Sequence, residues 1–168
     1  MRIDGCDGPT LSSAPSRRRP ELTPTQRALG LLTRREHSRV ELARKLTSRG
    51  VEPDEAHSVV GKLAEAGWQD DMRFAELLVR SRANSGYGPV RIRAELAATH
   101  SLSADIIAAA LGRFECDWSG NACDLLRRRH PAALRGDRTA QRKAADLLLR
   151  RGFGMDLVMT ALRANPDE

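Results

Sequence analysis

The sequence predicts an all-α protein made of three tandem three-helix repeats that form an elongated, curved, solenoid-like array. One observation is internal similarity: an apolar residue, an acidic residue three positions later and another apolar residue six beyond it recur at intervals of 51 residues. A second is composition, since 40% of the residues are apolar but only 4% are aromatic, which favours helices packed through Leu, Ala and Val. We expect repeats of this size to bury their apolar faces against one another and to leave an extended surface for a long partner. The recurring positions are Val51, Leu102 and Phe153, then Asp54, Asp105 and Asp156, then Val60, Leu111 and Leu162.

Residues 1–22 are predicted to form a disordered basic tail. They contain three prolines, two glycines and the run Arg17–Arg19, with little periodic apolar content. The three repeats are then expected at residues 23–69, 70–118 and 119–168.

In the first repeat, the segment Thr23–Gln26 predicts a helix start, with Thr as N-cap, Pro at the first helical position and Gln at N3. A second capping box at Ser38–Glu41 predicts a helix that ends at Gly50. A third helix is expected to open around Pro53 and to end at Gly67.

The second repeat is expected to begin at Asp70-Asp71 with a helix that Gly86 closes. Pro89 predicts the start of its second helix and Ser103 caps its third. The Gly86–Pro89 segment contains two glycines but follows no strand, so we interpret it as a helix-to-helix turn and not as a nucleotide cradle.

The third repeat is expected to run through Leu125-Leu126, to break at Pro131 and to resume near Asp137. It then turns at Gly152 into a final helix, which makes nine predicted helices in all. The connection between the first and second helices lengthens from one repeat to the next, as insertions in a repeat do.

No catalytic motif is recognisable. The sequence lacks a Gly-x-Ser-x-Gly elbow, a phosphate-binding Gly-x-x-x-x-Gly-Lys loop and a His-Glu-x-x-His zinc helix. Cys116, Cys123 and His130 stand seven residues apart, but we expect Ser119–Asn121 to interrupt their helix, and structural zinc favours closer cysteines. We interpret them as two buried cysteines and a surface histidine, with a metal or redox protein as the alternative. His37, His57 and His100 have no evident nucleophile partner, so we predict no enzyme, no cofactor and no small-molecule substrate.

The cellular setting follows from composition. Three cysteines are too few, and odd in number, for a disulfide framework, which indicates a reducing cytosol. No apolar stretch approaches the roughly 18 residues that span a bilayer, and no secretory signal is evident at the N-terminus. We therefore expect a cytoplasmic monomer that does not bind membranes.

The basic residues predict an anion-binding face. The formal net charge is +6, and residues 121–151 alone hold nine basic and three acidic residues. Guanidinium groups pair well with phosphate and carboxylate, so nucleic acid is the first expected partner and an acidic protein surface the second. The alternative is that these side chains are only the solvated faces of amphipathic helices. The candidate partner- or DNA-binding residues are Arg44, Lys45, Arg80, Arg82, Arg91, Arg93, Arg127, Arg128, Arg129, Arg150 and Arg151.

A helix-turn-helix that reads duplex DNA is a further alternative for Glu41–Val60, which is predicted as two helices around Gly50. In that motif the residue four positions before the turn glycine is usually small, but here it is Leu46. The same helical pair also recurs in the other repeats, which favours a structural repeat.

Four sets of motifs follow one another along the chain: Arg35–Ser38 with Glu41-Leu42 and Lys45-Leu46, Asp70-Asp71 with Arg73–Ala75, Gly88 with Arg91-Ile92 and Glu95-Leu96, and Arg150–Phe153 with Asp156. Through these motifs, the chain resembles the RecX family, bacterial regulators of the RecA recombinase. The resemblance extends from about Gln26 to the C-terminus. Trp68-Gln69 departs from the family, which more often has tyrosine and an aliphatic residue there.

The resemblance implies a non-enzymatic protein that lies along the groove of a RecA–DNA filament. It would reduce ATP hydrolysis, strand exchange and filament extension, and so act in DNA recombination, DNA repair and the SOS response. Contacts to single- or double-stranded DNA would be made to the backbone. The alternative function is a stand-alone basic helical protein that binds nucleic acid without a recombinase.

Overall fold

The computed structural model describes residues 21–164, which form ten α-helices and contain no strand. The three-helix repeats and the all-α prediction are confirmed. The predicted number of helices, nine, is one too few for residues 21–164, because the long connection in the third repeat contains a short extra helix, α8. The predicted tail lies outside the described residues except for its last two positions. In chain order the helices are α1 (Pro24–Leu32), α2 (Arg39–Thr47), α3 (Pro53–Glu65), α4 (Asp71–Asn84), α5 (Pro89–Ala98), α6 (Ala104–Arg113), α7 (Trp118–Arg129), α8 (Pro131–Leu134), α9 (Arg138–Arg151) and α10 (Met155–Arg163).

Helices start where the capping signals predict. Thr23 Oγ1 accepts from the backbone N–H of Gln26 at 3.2 Å, and the Gln26 side chain accepts from the Thr23 N–H at 2.9 Å. Ser38 Oγ accepts from the backbone N–H of Glu41, and the Asp70 carboxylate accepts from the backbone N–H groups of Met72 and Arg73. These bonds satisfy donors that the first turn of a helix leaves unpaired.

The 51-residue periodicity has a physical basis. The repeated acidic residue lies in the first turn of the last helix of each repeat, where the helix dipole favours negative charge. The repeated apolar residue three positions earlier is buried in each repeat. These positions are Asp54, Asp105 and Asp156, and Val51, Leu102 and Phe153.

Each repeat has its own apolar core. The first centres on Leu42 and Leu46, the second on Ile92 and Leu96, and the third on Leu148 with its neighbours. The expectation that neighbouring repeats bury one another's apolar faces is therefore wrong. Fully buried alanines in all three cores let the helices approach closely, so each small unit excludes water from its own interior.

The start of the third repeat differs from the sequence prediction. Ser119–Asn121 does not interrupt a helix but forms the first turn of α7. The Asp117 carboxylate caps that turn by accepting from the Ser119 N–H at 3.0 Å, which offsets the weak helix propensity of Ser, Gly and Asn. Trp118 then packs against both the second and the third core.

Candidate functional site

The predicted contact residues divide into two groups. Three of the eleven form ion pairs within the chain: Lys45 with Glu41, Arg82 with Glu95, and Arg127 with Asp124. The other eight have no carboxylate within 4 Å among residues 21–164. These eight are Arg44, Arg80, Arg91, Arg93, Arg128, Arg129, Arg150 and Arg151.

Arg82 has a structural role that the sequence did not reveal. Its Nη2 donates to Glu95 Oε1 at 2.6 Å and its Nε donates to Oε2 at 2.9 Å, so the fork of the guanidinium joins α4 to α5. The hydrogen bonds raise the pKa of Arg82 and, against the effect of burial, lower the pKa of Glu95. The guanidinium of Arg82 is thus largely committed within the second repeat.

The third repeat carries the densest exposed charge. Arg127, Arg128 and Arg129 occupy the last turn of α7, and Arg150 and Arg151 occupy the last turn of α9. Cations at helix C-termini are stabilised by the helix dipole. The local fold therefore accommodates this basic surface without acidic partners for most of it.

The first junction, where repeats one and two meet, is made of polar side chains. Ser38 Oγ lies 3.0 Å from His100 Nδ1, and the Gln69 side-chain amide donates to the His37 carbonyl at 3.1 Å. Arg73 Nε donates to Glu36 Oε1 at 2.9 Å across the same boundary. Sequence reasoning left the two histidines without a role, because their partners lie 32 and 62 residues away along the chain.

The Ser38–His100 pair has the spacing of a nucleophile and its base but not the setting. Ser38 is 0% exposed and its oxygen also accepts from the Glu41 amide as the N-cap of α2. With one proton and two lone pairs, the hydroxyl can bond Nδ1 of His100 and the Glu41 amide at the same time. The pair joins the repeats and is closed to substrate.

Glu41 is a buried charge of the first repeat and lies close to the first junction. Its carboxylate pairs with Arg35 and lies 3.0 Å from His37 Nδ1 and 3.7 Å from Lys45 Nζ. Burial alone would raise the pKa of Glu41, but hydrogen bonds from Arg35 and His37 outweigh it and lower that pKa to about 2. Burial lowers the pKa of His37 and of His100, so both rings favour the neutral form.

The second junction, where repeats two and three meet, is made of backbone. The Gly88 N–H donates to the Arg151 carbonyl at 2.8 Å, and the Val90 N–H donates to the Gly152 carbonyl at 3.0 Å. A Cβ on Gly88 would overlap the Gly152 carbonyl, and a Cβ on Gly152 would overlap Arg91. Gly152 also has φ of 85°, as the predicted turn there requires. Only glycine at both positions permits this approach.

Two predicted contact residues converge at the second junction. The guanidinium carbons of Arg91 and Arg151 lie 5.1 Å and 4.7 Å from the centre of the Tyr87 ring. Arg151 also donates to the Ser85 carbonyl at 3.2 Å. Sequence analysis identified both arginines but not Tyr87, although its place between the glycines of the predicted turn was a signal.

The alternative of a metal site finds no geometric support in the described part of the chain. No group of three or more His, Cys, Asp or Glu residues within residues 21–164 is placed to hold a metal ion. Cys123 is buried, whereas Cys116 is only half-buried, and burial raises the pKa of both thiols. No helix within the same residues is long and apolar enough to cross a bilayer.

The fold and these side chains define a class of protein: an all-helical tandem-repeat protein with exposed arginines in each of its repeats. Three family models match in order, namely the first three-helix domain of RecX at residues 25–63, the second at 70–111 and the third at 119–162. The chain belongs to the RecX family.

Known relatives agree over most of the chain. It is 57% identical over 162 residues to the "Regulatory protein RecX" of Stenotrophomonas maltophilia (strain K279a), covering 96% of this chain and 99% of that one. It is 58% identical over 147 residues to the protein of the same name from Xanthomonas axonopodis pv. citri (strain 306), covering 88% and 90%. The crystal structure of RecX from Lactobacillus salivarius shares the fold, with a TM-score of 0.70, 24% identity and coverage of 83% of this chain and 92% of that one.

Proposed function

We propose that this chain binds the RecA recombinase on DNA and modulates the filament, mainly by inhibiting its ATP hydrolysis, extension and strand exchange. The observation that carries the proposal is the ordered match of all three RecX domains to the three repeats. The role is that of a cytoplasmic regulator without a catalytic centre, acting as a monomer in recombination and DNA repair.

The arrangement of charge supports binding to a polymer. Every repeat contains arginines that have no carboxylate within 4 Å among residues 21–164, and the three cores are separate clusters and not one interior. A ligand that touches several repeats must itself be extended. A nucleoprotein filament, with phosphate backbones and repeated protein surfaces, meets that requirement.

The direct test measures ATP turnover and filament length when substoichiometric protein is added to RecA, ATP and single-stranded DNA. We expect slower turnover and shorter filaments. Two variants that each remove one positive charge are compared. Arg150→Gln changes a predicted contact residue and should weaken the inhibition, whereas Arg34→Gln, which is not a predicted contact residue, controls for the loss of charge alone. Unchanged turnover and length with the unmodified protein in excess would refute the proposal.

The second candidate is a stand-alone nucleic-acid-binding protein, which the excess of exposed arginine favours. It predicts tight binding to naked DNA and a steep dependence on salt, about 0.9 in log–log slope for each duplex phosphate contact. Weak binding to naked DNA at moderate salt, together with strong inhibition of RecA, would decide against it.

A further inference from the structure

We propose that the second junction is a composite binding site for the phosphodiester backbone, assembled from Tyr87 and Arg91 of the second repeat and Arg151 of the third. The inference rests on the proposed function and assigns its nucleic-acid contact to one place. It also implies that backbone binding and the relative position of these two repeats are coupled.

The geometry brings two like charges together. Both guanidinium groups lie within 5.1 Å of the centre of one tyrosine ring, although their residues are 60 positions apart in the chain. Attraction to the ring offsets part of the repulsion between them. These distances place the two guanidinium carbons no more than about 10 Å apart, so they form a favourable place for successive phosphates of one strand.

Neither cation is neutralised within the described chain. No carboxylate among residues 21–164 lies within 4 Å of the Arg91 or Arg151 guanidinium, whereas the nearby Glu95 is bound by Arg82. The groove beside Tyr87 therefore has an acidic residue whose charge is already compensated. The local excess of positive charge is available to an external anion.

The site is also held in position before a ligand arrives. Arg151 donates to the Ser85 carbonyl, and the backbone bonds of Gly88 and Val90 fix the end of α9 against the start of α5. Ordering a long arginine side chain normally opposes binding. Here the contact between the two repeats already orders the Arg151 side chain, so less conformational entropy is lost when a ligand binds.

Phosphodiester fits this site better than an acidic protein surface. The two guanidinium groups belong to different repeats, and a phosphate chain provides anionic oxygens at short, regular intervals for both. A single aromatic residue offers little base stacking, so sequence-independent contact to the backbone is the expected mode. If the site instead bound an acidic protein surface, its variants would bind RecA more weakly and DNA as before.

The test measures binding of a labelled oligothymidylate and a labelled duplex by fluorescence anisotropy over a range of salt. For Arg91→Gln with Arg151→Gln, we expect the log–log salt slope to fall by about 1.4 on the single strand and about 1.8 on the duplex. The matched control is Arg34→Gln with Arg49→Gln, two exposed arginines of the first repeat, which should change the slope far less.

A second comparison separates geometry from charge. Gly88→Ala keeps every charge but forces the two repeats apart. We therefore expect it to lower the log–log salt slope of DNA binding by most of the amount expected for the double arginine variant. Should that variant fail to fold, Tyr87→Leu also keeps the net charge while removing the ring that holds the two guanidinium groups, and we expect a smaller loss in the same direction.

Three results would overturn the site: equal slopes for all variants, an equal loss in the first-repeat control, or weaker binding to RecA with unchanged binding to DNA. The proposed function is judged separately by ATP turnover in the same preparations. If the unmodified protein leaves RecA turnover unchanged, the regulatory proposal fails while the DNA result stands.

Discussion

The two junctions connect similar repeats by different means. The first uses side chains, with the buried Ser38–His100 bond, a bond from the buried Gln69 amide to Asp71 and the ion pair of Arg73 with Glu36. The second adds main chain, with two amide–carbonyl bonds between glycine-containing turns beside the bond from the Arg151 side chain to the Ser85 carbonyl. The difference indicates that the first junction responds to pH and salt, whereas the second responds to the volume of a single methyl group.

The largest expected effect is at the second junction. Gly152→Ala would place a Cβ against Arg91 and hold a non-glycine residue at φ of 85°. We expect a loss of about 3 kcal/mol in the free energy of unfolding of the second and third repeats, from overlap and left-handed strain together. Urea unfolding followed by hydrogen exchange in α5 and α9 measures it.

The control for that change is Gly61→Ala. Gly61 lies inside α3, and a Cβ there would meet nothing within 4 Å. We expect this variant to gain about 0.5–1 kcal/mol from helix propensity. Equal responses at the two glycines would remove the argument from close approach.

Beside the first junction, Glu41→Gln removes the charge that Arg35, His37 and Lys45 share. We expect the free energy of unfolding to fall by about 2 kcal/mol, because a buried carboxylate loses its charge and one of its two acceptor oxygens. Chemical denaturation measures it, with the exposed Glu55→Gln as matched control. A loss no larger than in Glu55→Gln would show that the network contributes nothing measurable.

Acidification should weaken the first junction before the second. The folded-state pKa values of His37 and His100 lie below their ordinary value of 6.5. Their contribution to stability is therefore complete above about pH 6.5 and is lost as the pH falls through the folded-state values.

Thermal unfolding at pH 7.5 and pH 5.5 should differ by on the order of 1 kcal/mol. His100→Asn should flatten part of that pH dependence. If the stability of His100→Asn changes with pH in parallel with that of the unmodified protein, His100 does not contribute to the pH dependence.

The smallest expected effect is at the rim of the first junction. Arg73 pairs with Glu36 at 2.9 Å, but its side chain is 44% exposed. Arg73→Gln should lower stability by only about 0.5 kcal/mol, and high salt should abolish the difference. A loss above 2 kcal/mol in the same denaturation experiment would mean that the junction depends on this pair.

Local chemistry made the helices predictable. Capping and turn interactions join residues only a few positions apart, so neighbouring residues in the sequence reveal them. This holds for the caps at Thr23, Ser38 and Asp70 and for the turn at Gly152. The extra helix α8 was missed because Pro131 was interpreted only as a helix breaker, although proline also suits the first turn of a new helix.

Long-range contacts were not predictable in the same way. Arg82 and Arg91 look alike in sequence, yet Arg82 is bound to Glu95, whereas Arg91 lies beside Tyr87 with no carboxylate within 4 Å among residues 21–164. The packing of the helices decides which arginines pair with a carboxylate of the protein itself. Helical periodicity in the sequence does not reveal this packing. The separate cores were missed for a related reason, since closeness of packing depends on where alanines meet in space.

The most direct measurement of the central claim is the rate of ATP hydrolysis by RecA on single-stranded DNA while this chain is titrated in. The account predicts that turnover falls well before the two proteins are equimolar and that Arg91→Gln with Arg151→Gln shifts the titration to higher concentration. Turnover that stays constant up to a molar excess of the unmodified chain would contradict it.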